Sequence, residues 1–125
     1  MKGLELIQNY PAAGKVVKEW FFKSMLESFK DETVPDEFKE FMLEQGIEDD
    51  KIGTLIDVNP RMLFDVFDEN DIVIENSLYP DGTFTIKIGN QATTQSWKKR
   101  KEAELFAIEA AFEILENKLS PKLEE

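Results

Sequence analysis

Apolar residues recur along this chain with two different periods, and the change from one to the other falls near residue 71. In the first part the spacing is helical. Val17, Trp20, Phe21, Met25 and Phe29 follow one another at three and four residues, which predicts a helix beginning after Pro11 with one stripe turned to a core. Phe22 lies beside that stripe, and Lys15, Lys18, Lys23 and Glu27 fall on its solvated side. Pro35, flanked by acidic residues suited to a helix start, predicts a second helix to Gln45, stopped by Gly46. A short helix follows from Asp49 or Asp50, with Ile52, Leu55 and Ile56 inward and Pro60 as its limit. Asn59 as N-cap and Pro60 at the first helical position open another, carrying Leu63, Phe64 and Phe67 and ending at the Asp68-Glu69-Asn70 cluster.

Beyond Asp71 the pattern alternates. Ile72, Ile74 and Leu78 share one side of a first extended arm, and Phe84, Ile86 and Ile88 one side of a second. Between them Tyr79-Pro80-Asp81-Gly82-Thr83 has the residues of a tight turn, so an antiparallel hairpin is expected, with a third strand over Gln91–Trp97. A hairpin alone is marginal in water, and its apolar face needs a cover. The last apolar run supplies one: Leu105, Ile108, Phe112, Leu115 and Leu119 keep helical spacing, and Ala103, Ala107 and Ala111 allow close approach to a sheet. Burying each larger side chain stabilises by roughly 1.5–3 kcal/mol before entropy is counted. The reading is α+β: N-terminal helices, then an antiparallel two- or three-stranded sheet covered by a long C-terminal helix. One domain is expected over residues 1–125, made of a helical part at 1–58, a helix-strand-strand-(strand)-helix part at 59–119 and a frayed tail at 120–125.

Composition narrows the chemistry. The 125 residues include no cysteine and no histidine, which removes disulfides, thiolate nucleophiles, imidazole bases and His/Cys metal sites. No run is long and apolar enough to cross a bilayer, and the opening Met1–Gly14 stretch lacks the apolar segment of a signal peptide, so a cytoplasmic location is expected and no membrane partner. The net charge of −11 repels polyanions at long range and favours basic partners. It is unevenly spread. Residues 1–70 hold 8 Lys/Arg against 16 Asp/Glu, whereas residues 71–125 hold 7 against 10 and contain the concentrated basic run Lys98, Lys99, Arg100, Lys101.

Three candidate surfaces follow. The basic run, with Trp97 immediately before it as an indole able to stack on a base, is the candidate nucleic-acid contact. Asp65, Asp68 and Glu69, together with Phe22 on the flank of the Trp20-Phe21-Phe22 trio, form the candidate partner-binding set. Asp65, Asp68, Glu69 and Asp71 also raise the question of a hard cation, but they lack the ligand order of a calcium loop. No metal, cofactor or catalytic set is expected, and nothing indicates an apolar cleft that raises a carboxyl pKa. The expected function is a non-enzymatic binding or interaction protein that meets a basic protein surface. The alternatives are nucleic-acid binding through the basic run, or an acidic imitation of nucleic acid that blocks a DNA-binding protein.

Residues 59–119 resemble a double-stranded-RNA-binding domain. Phe84, Ile86 and Ile88 match the family's strand pattern, Arg100, Lys101 and Ala103 match two cations and the alanine of its basic motif, and Ala107 and Ala111 continue its small-residue helix face. The resemblance implies a helix-β-β-β-helix fold and RNA contact at the start of the last helix. Lys99 stands at the motif's serine, Glu104 stands at its last lysine, the Tyr79–Thr83 loop has no histidine, and the first helix offers Asp65, Asp68 and Glu69. The whole chain is also similar to small uncharacterised proteins of gut-bacterial prophages and mobile elements, a likeness that implies no mechanism.

Overall fold

The computed structural model describes residues 2–28, 35–37, 40, 44 and 48–120. The helix expected over Pro35–Gln45 falls largely outside these residues, as do Phe29 and the tail beyond Ser120. The described elements are α1 (Gly3–Asn9), α2 (Pro11–Ser28), α3 (Asp49–Val58), a 3-10 turn (Pro60–Leu63) continuing into α4 (Phe64–Glu69), β1 (Ile74–Leu78), β2 (Phe84–Ile88), β3 (Gln91–Ala92) and α5 (Arg100–Leu119). The three strands form one antiparallel sheet in the order β1-β2-β3. The α+β reading therefore holds. No helix among the described residues is long and apolar enough to cross a membrane.

Helix α1 had no counterpart in the sequence pattern, and its supports explain why. Seven residues make barely two turns, too few for a stable isolated helix, so tertiary contacts hold it. The Asp57 carboxylate of α3 accepts the Gly3 N–H at 2.7 Å, and Glu5 accepts the Lys2 N–H at 2.9 Å. The two helices touch backbone to backbone: a Cβ on Gly53 would lie 2.6 Å from the Leu4 nitrogen. Pro11 then opens α2, where its missing N–H costs nothing. The Ala13 N–H in that first turn donates to Glu116 Oε1 of α5 at 2.9 Å, tying the two ends of the chain together.

The expected helix at Asn59 begins instead as a 3-10 turn, and Asn59 makes no side-chain cap; its backbone carbonyl accepts the Met62 N–H at 3.2 Å. In the hairpin, Ile74 faces Ile88, Asn76 faces Ile86 and Leu78 faces Phe84. Gly82, at φ +88, closes the turn, and the Asp81 carboxylate accepts both the Thr83 N–H (3.0 Å) and hydroxyl (2.6 Å). The expected third strand is the short β3 plus a bridge in which Trp97 and Phe84 exchange backbone bonds of 2.7 and 2.9 Å.

The covering helix divides its work. Its front, Ala103 and Ala107, packs with Ile86 of the sheet, whereas Ile108, Ala111, Phe112 and Leu115 enter the larger helical core beside Val17, Leu63 and Phe67. Phe112 lies edge-on to Phe67 at 5.5 Å. Small residues face the flat sheet and large ones fill the space between helices, so the hairpin is covered by the alanines rather than by Leu105, which is half-buried. Three residues expected inward are exposed: Leu55 at 45%, Leu78 at 60% and Leu119 at 42%. Each has the right phase, but no described element lies over it.

Candidate functional site

The chain reaches the start of α5 under constraint. Trp97 is pinned to Phe84 through both backbone bonds, and its indole packs on Phe106 at 4.7 Å, so the ring closes the smaller core cluster rather than standing free. Two residues later Lys99 occupies the N-cap position in an extended conformation (φ −118, ψ 136), and no side chain caps the helix. The first-turn amides of a long helix carry partial positive charge, so a nearby cation costs about 0.3–1 kcal/mol there. Lys98, Lys99, Arg100 and Lys101 are all exposed at this point, and among the described residues none of them forms an ion pair. Glu102 lies in the same first turn without forming an ion pair with them. Glu104, aligned with the last lysine of the RNA-binding motif, is only 6% exposed and so is withdrawn from the cationic surface.

Beside this helix start lies a pocket of about 190 Å³ lined by Arg61, Phe64, Ile74, Asn76, Leu78, Phe84 and Arg100. The 3-10 turn contributes Arg61, the sheet's helix-facing side contributes Ile74, Asn76 and Phe84, and α5 contributes Arg100, whose guanidinium sits 5.4 Å above the Phe84 ring. Arg61 and Arg100 are the only two arginines in the chain, and the fold brings both to this pocket. On its sheet side the Asn76 amide nitrogen and oxygen are both shielded, and neither has a hydrogen-bond partner. Leaving a shielded polar group unpaired costs about 1–3 kcal/mol, so a regular strand does not keep one without reason.

Of these pocket residues the basic-run reading contained Arg100 alone. Arg61 was visible as one of two arginines against thirteen lysines, a rarity without a location. Asn76 was visible as the polar break in an otherwise apolar phase between Ile74 and Leu78, and only the fold shows its amide unpaired.

The acidic candidates separate. Asp65, Asp68 and Glu69 are exposed on α4, and none forms an ion pair among the described residues. Asp71, at φ +65, is instead bound to Lys118 at 3.7 Å, and the same lysine donates to the Asn70 carbonyl at 2.8 Å. Phe22 is half-buried on α2, next to the buried Phe21, whose ring meets Trp20 edge-on at 5.2 Å. The trio is thus mainly packed, with Phe22 only partly reaching solvent. No group of three or more Asp or Glu residues able to hold a metal ion occurs among the described residues. A shallower depression of about 400 Å³ near Asp71, Gly89 and Ile114 gathers neither a cation nor an unpaired buried polar atom. Comparison with protein-family models, curated proteins and solved structures finds no match.

Proposed function

We propose that this chain is a non-enzymatic binding protein whose cationic corner, Arg61, Lys98, Lys99, Arg100 and Lys101, engages the phosphates of nucleic acid. What carries the reading is the start of α5, where no side chain caps the helix and four consecutive exposed cations, beside the one acid Glu102, form no ion pair among the described residues. An external phosphate relieves both the cation repulsion and the unmet amides. The order helix-β-β-β-helix agrees with the resemblance to RNA-binding domains, while Asp81 in the hairpin turn and the absence of histidine argue against that family's groove contact.

The net charge of −11 makes this reading testable through salt. At about 0.01 M salt the screening length is about 30 Å and the whole acidic molecule repels a polyanion; near 0.15 M it is about 8 Å and the corner acts alone. Still more salt weakens the phosphate contacts themselves. Affinity for short RNA or DNA strands, measured by fluorescence anisotropy, is expected to peak at intermediate salt. Replacing Lys99, Arg100 and Lys101 together by Glu should abolish it, with the fold retained by circular dichroism. No binding at roughly tens of micromolar protein, the usual strength of weak contacts, overturns the reading.

One observation favours a second function: Asp65, Asp68 and Glu69 are exposed on a single short helix without ion pairs, an array that suits a basic protein surface, including a DNA-binding protein's cleft. Reversing these three charges to Lys separates the two. Under the first reading nucleic-acid affinity holds or rises; under the second, capture of a basic protein such as a histone is lost.

A further inference from the structure

We infer that the chain pairs with a second copy of itself along the open edge of β1, in a two-fold antiparallel register centred on residue 76 that joins the two sheets into one. This is independent of the cationic-corner reading.

The two edges of the sheet are finished differently. Beyond β2 the chain covers its own edge: β3 is only two residues long, and Trp97 then exchanges both backbone bonds with Phe84. The β1 edge lacks the devices that keep a strand from pairing. Its five residues, Ile74–Leu78, contain no lysine or proline and run against β2 without a bulge, and their one charge, Glu75, is held by Lys87 of β2 at 3.9 Å. Nor do the helices close over it, because the solvent-open space lined by Phe64, Ile74, Asn76 and Leu78 lies along this strand.

Hydrogen bonding fixes which groups the edge offers. The Tyr79 N–H donates to the Thr83 carbonyl and the Gly89 N–H to the Val73 carbonyl, both at 2.8 Å, while Phe84 and the Ile86 carbonyl bond on the far side of β2, to Trp97 and Thr93. By the alternation of an antiparallel ladder, residues 73, 75, 77 and 79 turn their backbone groups to β2, and residues 74, 76 and 78 turn theirs outward. One register uses all of the outward groups. Centring the two-fold on residue 76 sets Asn76 opposite its own copy and Ile74 opposite Leu78, and it needs only the Asn76 backbone, so the shielded side chain stays where it is. A shift of two residues one way sets Glu75 against Glu75; the other way it sets Ile74 against Pro80, which has no N–H to give.

The side chains select the same register. Val73, Leu78 and Tyr79 are 46%, 60% and 53% exposed, large apolar residues left uncovered on one strand and its ends. Across the two-fold, Val73 meets Tyr79 on the outer face and Leu78 meets Ile74 on the helix-facing side. These are a β-branched–aromatic pair and an aliphatic pair, each made twice by symmetry, and Glu75 meets Ser77 rather than another acid. A surface that complements itself about one point selects a second copy over an unrelated strand. Charge opposes the pairing: each copy carries −11, so association strengthens as salt shortens the screening length from about 30 Å at 0.01 M to about 8 Å at 0.15 M.

The test uses the full chain without nucleic acid. Sedimentation equilibrium over about 0.01–1 mM protein, the range of a small and weak interface, should show monomer and dimer in exchange, with more dimer at about 0.15 M than at about 0.01 M salt. Amide exchange followed by NMR should slow with protein concentration at Ile74, Asn76 and Leu78 and stay constant at Glu75 and Ser77, whose N–H groups already face β2. Ser77 is exposed, so charge there leaves the fold intact by circular dichroism. Opposite Glu75 of the other copy, Ser77→Glu should weaken the dimer about fivefold and Ser77→Lys strengthen it about fivefold, through two symmetric contacts. The same two changes at exposed Gln95, beyond β3, alter the net charge equally and should move the equilibrium less than about twofold. A monomer at every concentration, or a dimer in which exchange at the three outward amides does not slow, overturns the inference. Effects at Ser77 no larger than those at Gln95 overturn it as well. Slowing that appears only when a basic protein such as a histone is added, with the free chain monomeric, gives the edge to another chain and overturns self-pairing.

Discussion

The helix starts of this protein meet one shared problem, their unpaired first-turn amides, in different ways. The first turns of α1 and α2 present N–H groups that carboxylates from distant parts of the chain accept, Asp57 for Gly3 and Glu116 for Ala13. The first turn of α5 has no side-chain cap and sets four cations, the charge sign that a helix N-terminus disfavours, against the single acid Glu102. The same acidic chain thus brings carboxylates onto the amides of its helical half and leaves an excess of positive charge at one exposed corner. The α3 start also lacks a side-chain cap but carries Asp49 and Asp50 in its first turn, so what sets α5 apart is its cations, a departure from the local rule that marks a place for contact. The unpaired Asn76 amide beside that corner departs from the packing rules in the same way.

The stable side of the comparison breaks most severely at Gly53. Asp57 reaches Gly3 only because α1 and α3 are in backbone contact, and a Cβ at residue 53 would stand 2.6 Å from Leu4 N, with backbone rather than a flexible side chain in the way. Gly53→Ala is expected to push the helices apart and to cost about 2 kcal/mol in denaturant unfolding, within the usual range for overpacking. Nucleic-acid affinity of the folded fraction should not change, since α5's start lies elsewhere. A loss below about 0.5 kcal/mol would show that α1 is not held by this contact.

A smaller pair of changes exchanges the two kinds of helix start. Glu116→Ala removes the acceptor of Ala13 and should cost about 1 kcal/mol, as the loss of a cap does. Lys99→Asp installs an acceptor at the α5 N-cap and should stabilise by about 1 kcal/mol while weakening nucleic-acid binding. Opposite signs in the two melts, with binding altered only by the second, sharpen the contrast; stabilisation by Lys99→Asp without any loss of binding contradicts the reading of α5 as a site.

How much of this was legible depended on whether a neighbour was needed to interpret it. The apolar face of α5 and the hairpin alternation are properties of one segment each, and Ile108, Phe112, Leu115 and Ile86 are buried as their spacing requires. Leu55 and Leu78 have the same kind of spacing and are exposed, because phase says which way a side chain points and not what lies above it. Helix α1 was hidden for a related reason: its cap comes from 54 residues away and its packing from a glycine contact. The site divides likewise. Lys98 to Lys101 were plain as a run, whereas Arg61 gained meaning only when the fold set it beside Arg100, and Asn76 only when its amide was found unpaired.

The weakest test concerns a fourth carboxylate-to-amide contact, made locally and in open solvent. Asp81 accepts the Thr83 hydroxyl and the Thr83 N–H, and these bonds, the hydroxyl's first, hold its carboxyl below the ordinary aspartate value. A lowered folded value means that the contribution is fully present above the unfolded pKa of about 3.9 and is lost as pH falls through the folded one. NMR titration of the Asp81 carboxyl should therefore give a midpoint below about 3.9, and Thr83→Val, which deletes the hydroxyl but keeps the backbone donor, should move it part of the way back. The difference between wild type and Thr83→Val reports the hydroxyl's share of the turn. A midpoint at or above the ordinary value would mean that the turn is held by Gly82 and the Tyr79–Thr83 backbone bond without help from the carboxylate.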